Sequence, residues 1–226
     1  YNDKSFKYLK KVQSLKNVHS KFNIEFIRTL VFLEKFEESF SFSQKIWKED
    51  ELFFEADLLL GLDYFMKEDY ENSEKHFKRL NKVSRYNLFF DNFFGNILLA
   101  WNEAAKGNQE ISSVFFKKVP KQYRHIMSIQ NSFLNCYFKT NKIESSFQEL
   151  VKNKNYNFSR YNFFLINNFL HKKNIEAANL AIEDVGKKYS SNLLIKQTEY
   201  FLLKGQNKKI TNLFNCENVN HILAEF

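Results

Sequence analysis

The strongest constraint on the fold is a short polar hinge that recurs six times along the chain. The hinges read LEKFEES, MKEDYENS, AKGNQEIS, KTNKIESS, HKKNIEAA and LKGQNKKI, and each separates two apolar, helix-like stretches. The equivalent position after each turn is occupied by Phe36, Tyr70, Gln109, Ile143, Ile175 and Asn207. These positions are 34, 39, 34, 32 and 32 residues apart. A period of this size indicates stacked copies of one supersecondary unit.

Small residues in mid-helix indicate how the two helices of each unit pack. Two helices joined by so short a hinge run antiparallel and touch, and their axes approach closely only where side chains are small. We expect Gly61 to face Ser73, with Tyr64, Tyr70 and Phe77 packed around the contact. The small position after the hinge recurs as Ser39, Ser73, Ser112, Ser146 and Ala178, whereas Ile210 departs from it. The pattern predicts an all-α fold of about thirteen helices in antiparallel pairs around one continuous core.

At this point the chain resembles the tetratricopeptide-repeat (TPR) superfamily. One unit matches the family pattern at six positions, namely Leu60, Gly61, Tyr64, Tyr70, Ser73 and Phe77. The other units keep the period and lose the glycine, and the family's closing proline is absent. The resemblance implies a right-handed solenoid of about six repeats, whose concave groove holds a peptide or protein partner.

The repeats cover the whole chain, so we expect residues 1–226 to form a single solenoid domain. The expected units are 20–52, 53–86, 87–125, 126–158, 159–190 and 191–217, flanked by partial units 1–19 and 218–226. Both ends resemble parts of a helix pair. Solenoids usually finish with a polar cap instead. We therefore interpret the chain as a fragment of a longer array.

The resemblance also assigns the residues that line the groove. By analogy with the family, the first helix of each pair contributes them: Phe65, Phe94, Ile97, Trp101, Asn131, Asn135, Lys139, Arg160, Phe163, Asn167 and Lys196. The expected groove is apolar in its middle and basic towards the C-terminus, and Trp101 could equally be buried between units. Asn135 and Asn167 occupy the same place in successive units, where amides can pair with a peptide backbone. The alternative for these two is that asparagine is simply abundant in this chain.

Motifs that carry catalytic or cofactor chemistry are missing from the sequence. It contains no phosphate-binding glycine loop, no dinucleotide fingerprint, no H-E-x-x-H and no G-x-S-x-G. The five histidines are scattered and are interpreted as surface or groove residues, and Cys136 and Cys216 as buried free thiols. We therefore expect a non-enzyme that uses no cofactor, metal or small-molecule substrate.

Charge leaves a second class of partner open. The net charge of +8 suits an RNA-binding helical repeat, which resembles the pentatricopeptide class. Apolar lining positions and dispersed lysines and arginines favour the protein-binding scaffold instead. No apolar run is long enough for a transmembrane helix and no signal peptide is visible. We expect a soluble compartment, either cytoplasmic or, if a signal segment precedes this fragment, periplasmic. The abundance of residues whose codons are A/T-rich, such as Phe, Lys and Asn, indicates an A/T-rich bacterial genome.

Overall fold

The computed structural model describes residues 2–83, 92–153 and 161–188, together with 193, 196–197 and 199–200. Within these residues the chain is all-helical and contains no strand. Short 3₁₀ turns occupy Gln13–Asn17 and Lys121–Tyr123. Eleven α-helices lie in the described part: α1 (Asn2–Lys11), α2 (Ser20–Phe32), α3 (Phe36–Ile46), α4 (Phe54–Met66), α5 (Tyr70–Leu80), α6 (Phe93–Ala105), α7 (Gln109–Lys117), α8 (Arg124–Tyr137), α9 (Ile143–Lys152), α10 (Asn162–His171) and α11 (Ile175–Lys188).

The predicted hinge positions are the first residues of the second helices. Helices α3, α5, α7, α9 and α11 begin at Phe36, Tyr70, Gln109, Ile143 and Ile175. The prediction of paired helices on either side of these five hinges is confirmed. The sixth hinge, around Asn207, lies outside the described residues.

One backbone geometry closes all five described hinges. In each, a residue just past the first helix adopts a left-handed conformation: Glu34 (φ 58°), Glu68 (62°), Gly107 (86°), Lys139 (52°) and Lys173 (59°). At the second hinge, the Glu68 N–H donates to the Phe65 carbonyl at 3.0 Å and the Asp69 N–H to the Tyr64 carbonyl at 2.9 Å. The other four hinges repeat this pair of bonds. This arrangement is the Schellman motif, which satisfies the last carbonyls of a helix.

The contact between α4 and α5 is as close as the small residues predict. Ser73 Oγ donates a hydrogen bond of 2.9 Å to the carbonyl of Gly61, and both residues are buried. A methyl group added to Gly61 would lie 2.5 Å from Cε1 of Phe77. Glycine is therefore required here by the approach of the neighbouring helix, which confirms the predicted Gly61–Ser73 contact.

The helices form two compact units, residues 1–121 and 122–226. In the first unit, consecutive helices from α1 to α7 pack against one another. In the second unit, consecutive helices from α8 to α11 do the same. Aromatic side chains dominate both cores, as in the contacts of Phe26 with Phe42 and of Phe133 with Phe147. Whether the repeats continue as one array through both units stays a prediction.

Two further sequence expectations are answered by the described residues. Cys136 of α8 is disulfide-bonded, so the prediction of a free thiol is wrong for this residue. Cys216, the other cysteine of the chain, lies outside the described part. In the described part, no helix combines the length and the apolar character needed to cross a membrane.

Candidate interaction face

An exposed stripe runs along α2 and α4, the first helices of the first two pairs. It consists of the residues 12, 8 and 4 positions before the hinges at Phe36 and Tyr70. Residues four apart lie on one face of a helix, and α2 contacts α4. All six side chains of this open stripe are partly or fully exposed: Ile24, Arg28, Phe32, Leu58, Leu62 and Met66. Phe32 is 73% and Met66 is 53% exposed.

Charged groups border the open stripe. The Arg28 guanidinium lies 3.3 Å from a carboxylate oxygen of Glu25 and 3.3 Å from one of Glu55. Lys67 Nζ donates to Asp63 at 2.8 Å. This hydrogen bond raises the pKa of Lys67 above its ordinary value, and the charge of Glu37 adds to the effect. The charges of the first two hinges therefore act on one another.

Four predicted groove residues are buried, and for them the groove assignment is wrong. Phe65 and Phe163 are 1% exposed, and Ile97 and Trp101 are fully buried. Phe65 packs against Tyr70 of α5, with ring centroids 5.5 Å apart, and Trp101 packs against Phe116 of α7 at 5.8 Å.

The physical reason for this burial is the direction in which the side chains leave their helices. Phe65 and Trp101 point at the second helix of their own pair, so they fill the core of the helix pair and not an open face. The alternative that Trp101 is a buried side chain is the correct one.

The remaining predicted residues are half-buried or exposed where they are described. Phe94 is half-buried, with its ring centroid 6.4 Å from that of Phe54. In the second unit, Asn135 is half-buried and its side-chain oxygen accepts a 2.8 Å hydrogen bond from Thr140 Oγ1. That acceptor is already used within the chain. Asn131, Lys139 and Lys196 are exposed, Asn167 is half-buried, and Arg160 lies outside the described residues.

Sequence reasoning missed a buried charged network between α3, α4 and α5. Asp57 is fully buried, and its Oδ1 atom accepts hydrogen bonds from Trp47 Nε1 at 2.9 Å and Arg79 Nε at 2.8 Å. The same oxygen lies 2.9 Å from Nδ1 of His76. His76 is only 5% exposed, so its assignment to the surface or groove is wrong. The three partners are brought to Asp57 from 10, 22 and 19 residues away, a separation that leaves no periodic signal in the sequence.

Arg79 also fastens the connection between α3 and α4. Its guanidinium donates to the carbonyls of Glu49 at 2.7 Å, Lys48 at 3.1 Å and Glu51 at 2.6 Å. Buried charges are tolerated when they are paired and hydrogen-bonded in this way. The network binds the chain's own backbone carbonyls, so its role is to stabilise the fold.

The described residues thus define an all-α protein of paired helices with an exposed apolar stripe. Within the same residues, no three histidine, cysteine or carboxylate side chains are grouped so as to hold a metal ion. Comparisons of the sequence with family models, curated proteins and solved structures returned no match.

Proposed function

We propose that the chain is a non-catalytic scaffold of TPR-like helix pairs, arranged as a right-handed solenoid of about six repeats, that binds a segment of another protein. The open stripe of the first unit is the binding face. Its apolar side chains, and not the buried Phe65 and Trp101, are the proposed anchors.

The observation that supports this function is the exposure of Phe32 and Met66 at equivalent positions of successive helix pairs. Exposed apolar side chains that repeat with the architecture mark an interaction surface more clearly than single ones do. Apolar anchors buried by a partner usually carry most of the binding free energy of an interface. Arg28, which is half-exposed, would contribute to association rate more than to affinity.

The function is tested with a partner recovered by pull-down from the source organism. Its affinity is measured by calorimetry for the wild type and for Phe32→Ser/Met66→Ser. We expect this double variant to bind at least about tenfold more weakly, which is about 1.4 kcal/mol. The matched control is Ile111→Ser/Val114→Ser on α7, whose side chains are 47% and 50% exposed.

The control should bind like the wild type, and circular dichroism should show equal helicity in all three proteins. If the stripe variant and the wild type bind the partner with equal affinity, the open stripe is not the binding face. Retention of the pure protein on RNA, with an affinity that falls steeply with salt, would favour the RNA-binding alternative.

A further inference from the structure

The first two hinges carry a second exposed surface next to the open stripe. Phe32 and Phe36 flank the first hinge and are 73% and 47% exposed, and Met66 precedes the second at 53%. Three exposed glutamates lie among them. We call this surface the hinge edge, and it comprises Phe32, Glu34, Phe36, Met66, Glu68 and Glu71.

The hinge edge is acidic in a chain that is basic. Residues 33–38 and 67–72 contain six carboxylates and two lysines, a net charge of −4, whereas the whole chain has +8. Both lysines are already paired, Lys35 with Glu38 at 2.9 Å and Lys67 with Asp63 at 2.8 Å. In the part of the chain that the structure describes, the side-chain carboxylates of Glu34, Glu68 and Glu71 have no hydrogen-bonding or ion-pair partner.

Helix stability does not account for Glu34 and Glu68. Both have a left-handed backbone, which a side chain with a Cβ disfavours. Each also lies between the C-terminus of one helix and the N-terminus of the next, so the two macrodipoles act on its charge in opposite directions. The equivalent residues of the second unit, Lys139 and Lys173, have the same left-handed backbone and the opposite charge. The left-handed backbone therefore lowers stability at both glutamates, and a binding role explains their presence.

We propose that the hinge edge binds a cationic amphipathic segment of a partner protein. Its lysine or arginine side chains would pair with Glu34, Glu68 and Glu71, while its apolar side chains pack on Phe32, Phe36 and Met66. The inference rests on the proposed function, because the open stripe and the hinge edge share Phe32 and Met66. A nucleic acid or an anionic membrane does not fit, since its phosphates would face unpaired carboxylates.

The probe is a labelled synthetic peptide of about 18 residues, five helical turns, with leucine on one face and lysine on the other. A second peptide has glutamate in place of every lysine. Fluorescence anisotropy is measured with the full chain at low and at physiological ionic strength. We expect the lysine peptide to bind, more weakly as salt rises, and the glutamate peptide not to bind.

Two variants with the same change in net charge separate a specific site from general attraction. Glu34→Lys/Glu68→Lys should weaken binding of the lysine peptide by more than about tenfold, because like charges then face one another. Glu183→Lys/Asp184→Lys alters two exposed residues of α11 by the same charge and should stay within about twofold of the wild type. An equal loss in both variants, or no binding to the wild type, would overturn the inference.

The two proposals fail in different ways. If Phe32→Ser/Met66→Ser weakens binding of the recovered partner while Glu34→Lys/Glu68→Lys does not, the scaffold function stands and the cationic partner is wrong. Sedimentation of the wild type alone tests whether the hinge edge instead binds a second copy of the chain. A dimer that Glu34→Lys/Glu68→Lys dissociates would also overturn the inference.

Discussion

Gly61 shows how one missing side chain sets the distance between two helices. Because a Cβ at this position would lie 2.5 Å from Cε1 of Phe77, the Gly61→Ala substitution forces α4 and α5 apart. We expect the free energy of unfolding to fall by about 1–3 kcal/mol, as for other overpacked cores. Urea denaturation followed by circular dichroism measures the change.

The background variant Phe77→Leu tests the cause. A smaller side chain at residue 77 removes the ring atoms that the new methyl group would meet, so Gly61→Ala should cost less in that background. Equal costs in the two backgrounds would show that the Phe77 ring is not what excludes the methyl group.

Glu68 offers the opposite kind of substitution. Glycine adopts its left-handed conformation without steric cost, although it loses more entropy on folding than other residues. We expect Glu68→Gly to stabilise the chain by about 0.5–1 kcal/mol, measured by the same denaturation.

The matched substitution at the third hinge is Gly107→Ala. Gly107 has a φ of 86°, and no atom of the described residues lies within 4 Å of the place of a Cβ. Backbone strain alone should therefore make this variant less stable by about 1 kcal/mol. A destabilised Glu68→Gly would contradict the strain argument. A stabilised one that binds the cationic peptide less well would show stability exchanged for recognition.

At the scale of elements, Arg79 and Asp57 hold α3, α4 and their connection together. Arg79→Met leaves the buried Asp57 carboxylate without its cationic partner and frees three backbone carbonyls. Breaking a buried ion pair on one side typically costs about 3–5 kcal/mol. We expect faster amide hydrogen exchange in residues 48–51, measured by mass spectrometry.

Lys82→Met, at an exposed position, is the control and should exchange like the wild type. The double variant Asp57→Asn/Arg79→Met should recover part of the lost stability, because it leaves no buried charge unpaired. No recovery would indicate that packing, and not charge, holds the connection.

A second charged link joins α5 to α6. Lys106 donates to Glu74 and to Glu103, and Lys78 also donates to Glu74. Burial alone would raise the pKa of Glu74, but its hydrogen bonds from Lys106 and Lys78 outweigh burial and hold the pKa below its usual 4.5. Burial likewise opposes the charge of Lys106, yet its two carboxylates raise its pKa above 10.5.

The link therefore stabilises the fold between the two ordinary pKa values. A carboxylate with a lowered pKa stabilises above its unfolded pKa and loses this contribution as pH falls through the folded value. The lysine contribution is lost as pH rises through its folded value. We expect Glu74→Gln to show a shallower fall in melting temperature between neutral pH and about pH 3. Glu71→Gln, at an exposed position, should follow the wild type.

Local and distant interactions differ in how well the sequence predicted them. The first residues of α3, α5, α7, α9 and α11 were predictable because a hinge is a local signal. The burial of Ile97 was not predictable and that of Trp101 was left open, because both depend on the direction in which α6 faces its neighbours. The network around Asp57 depends on pairings between elements, to which the period gives no clue.

At the scale of the molecule, the first unit has the contents of an independent domain. Phe22, Phe26, Ile27, Leu30 and Phe42 form an aromatic-rich core cluster within it. Since each helix packs mainly on its neighbours in sequence, we expect residues 1–121 to fold alone. Helicity and cooperative urea unfolding of this fragment measure the outcome. A fragment that unfolds without a cooperative transition would show that its stability depends on residues beyond 121.

The uniform hinge has a consequence for the order of folding. Its hydrogen bonds join residues three to five positions apart, so each helix pair can close without waiting for distant parts of the chain. Chains rich in such local contacts fold quickly, and repeat units can nucleate at any point. The bonds of Arg79 span 22 to 31 residues and form only when α3, α4 and α5 are already in place. We therefore expect the helix pairs to form first and the hydrogen bonds of Arg79 to form last.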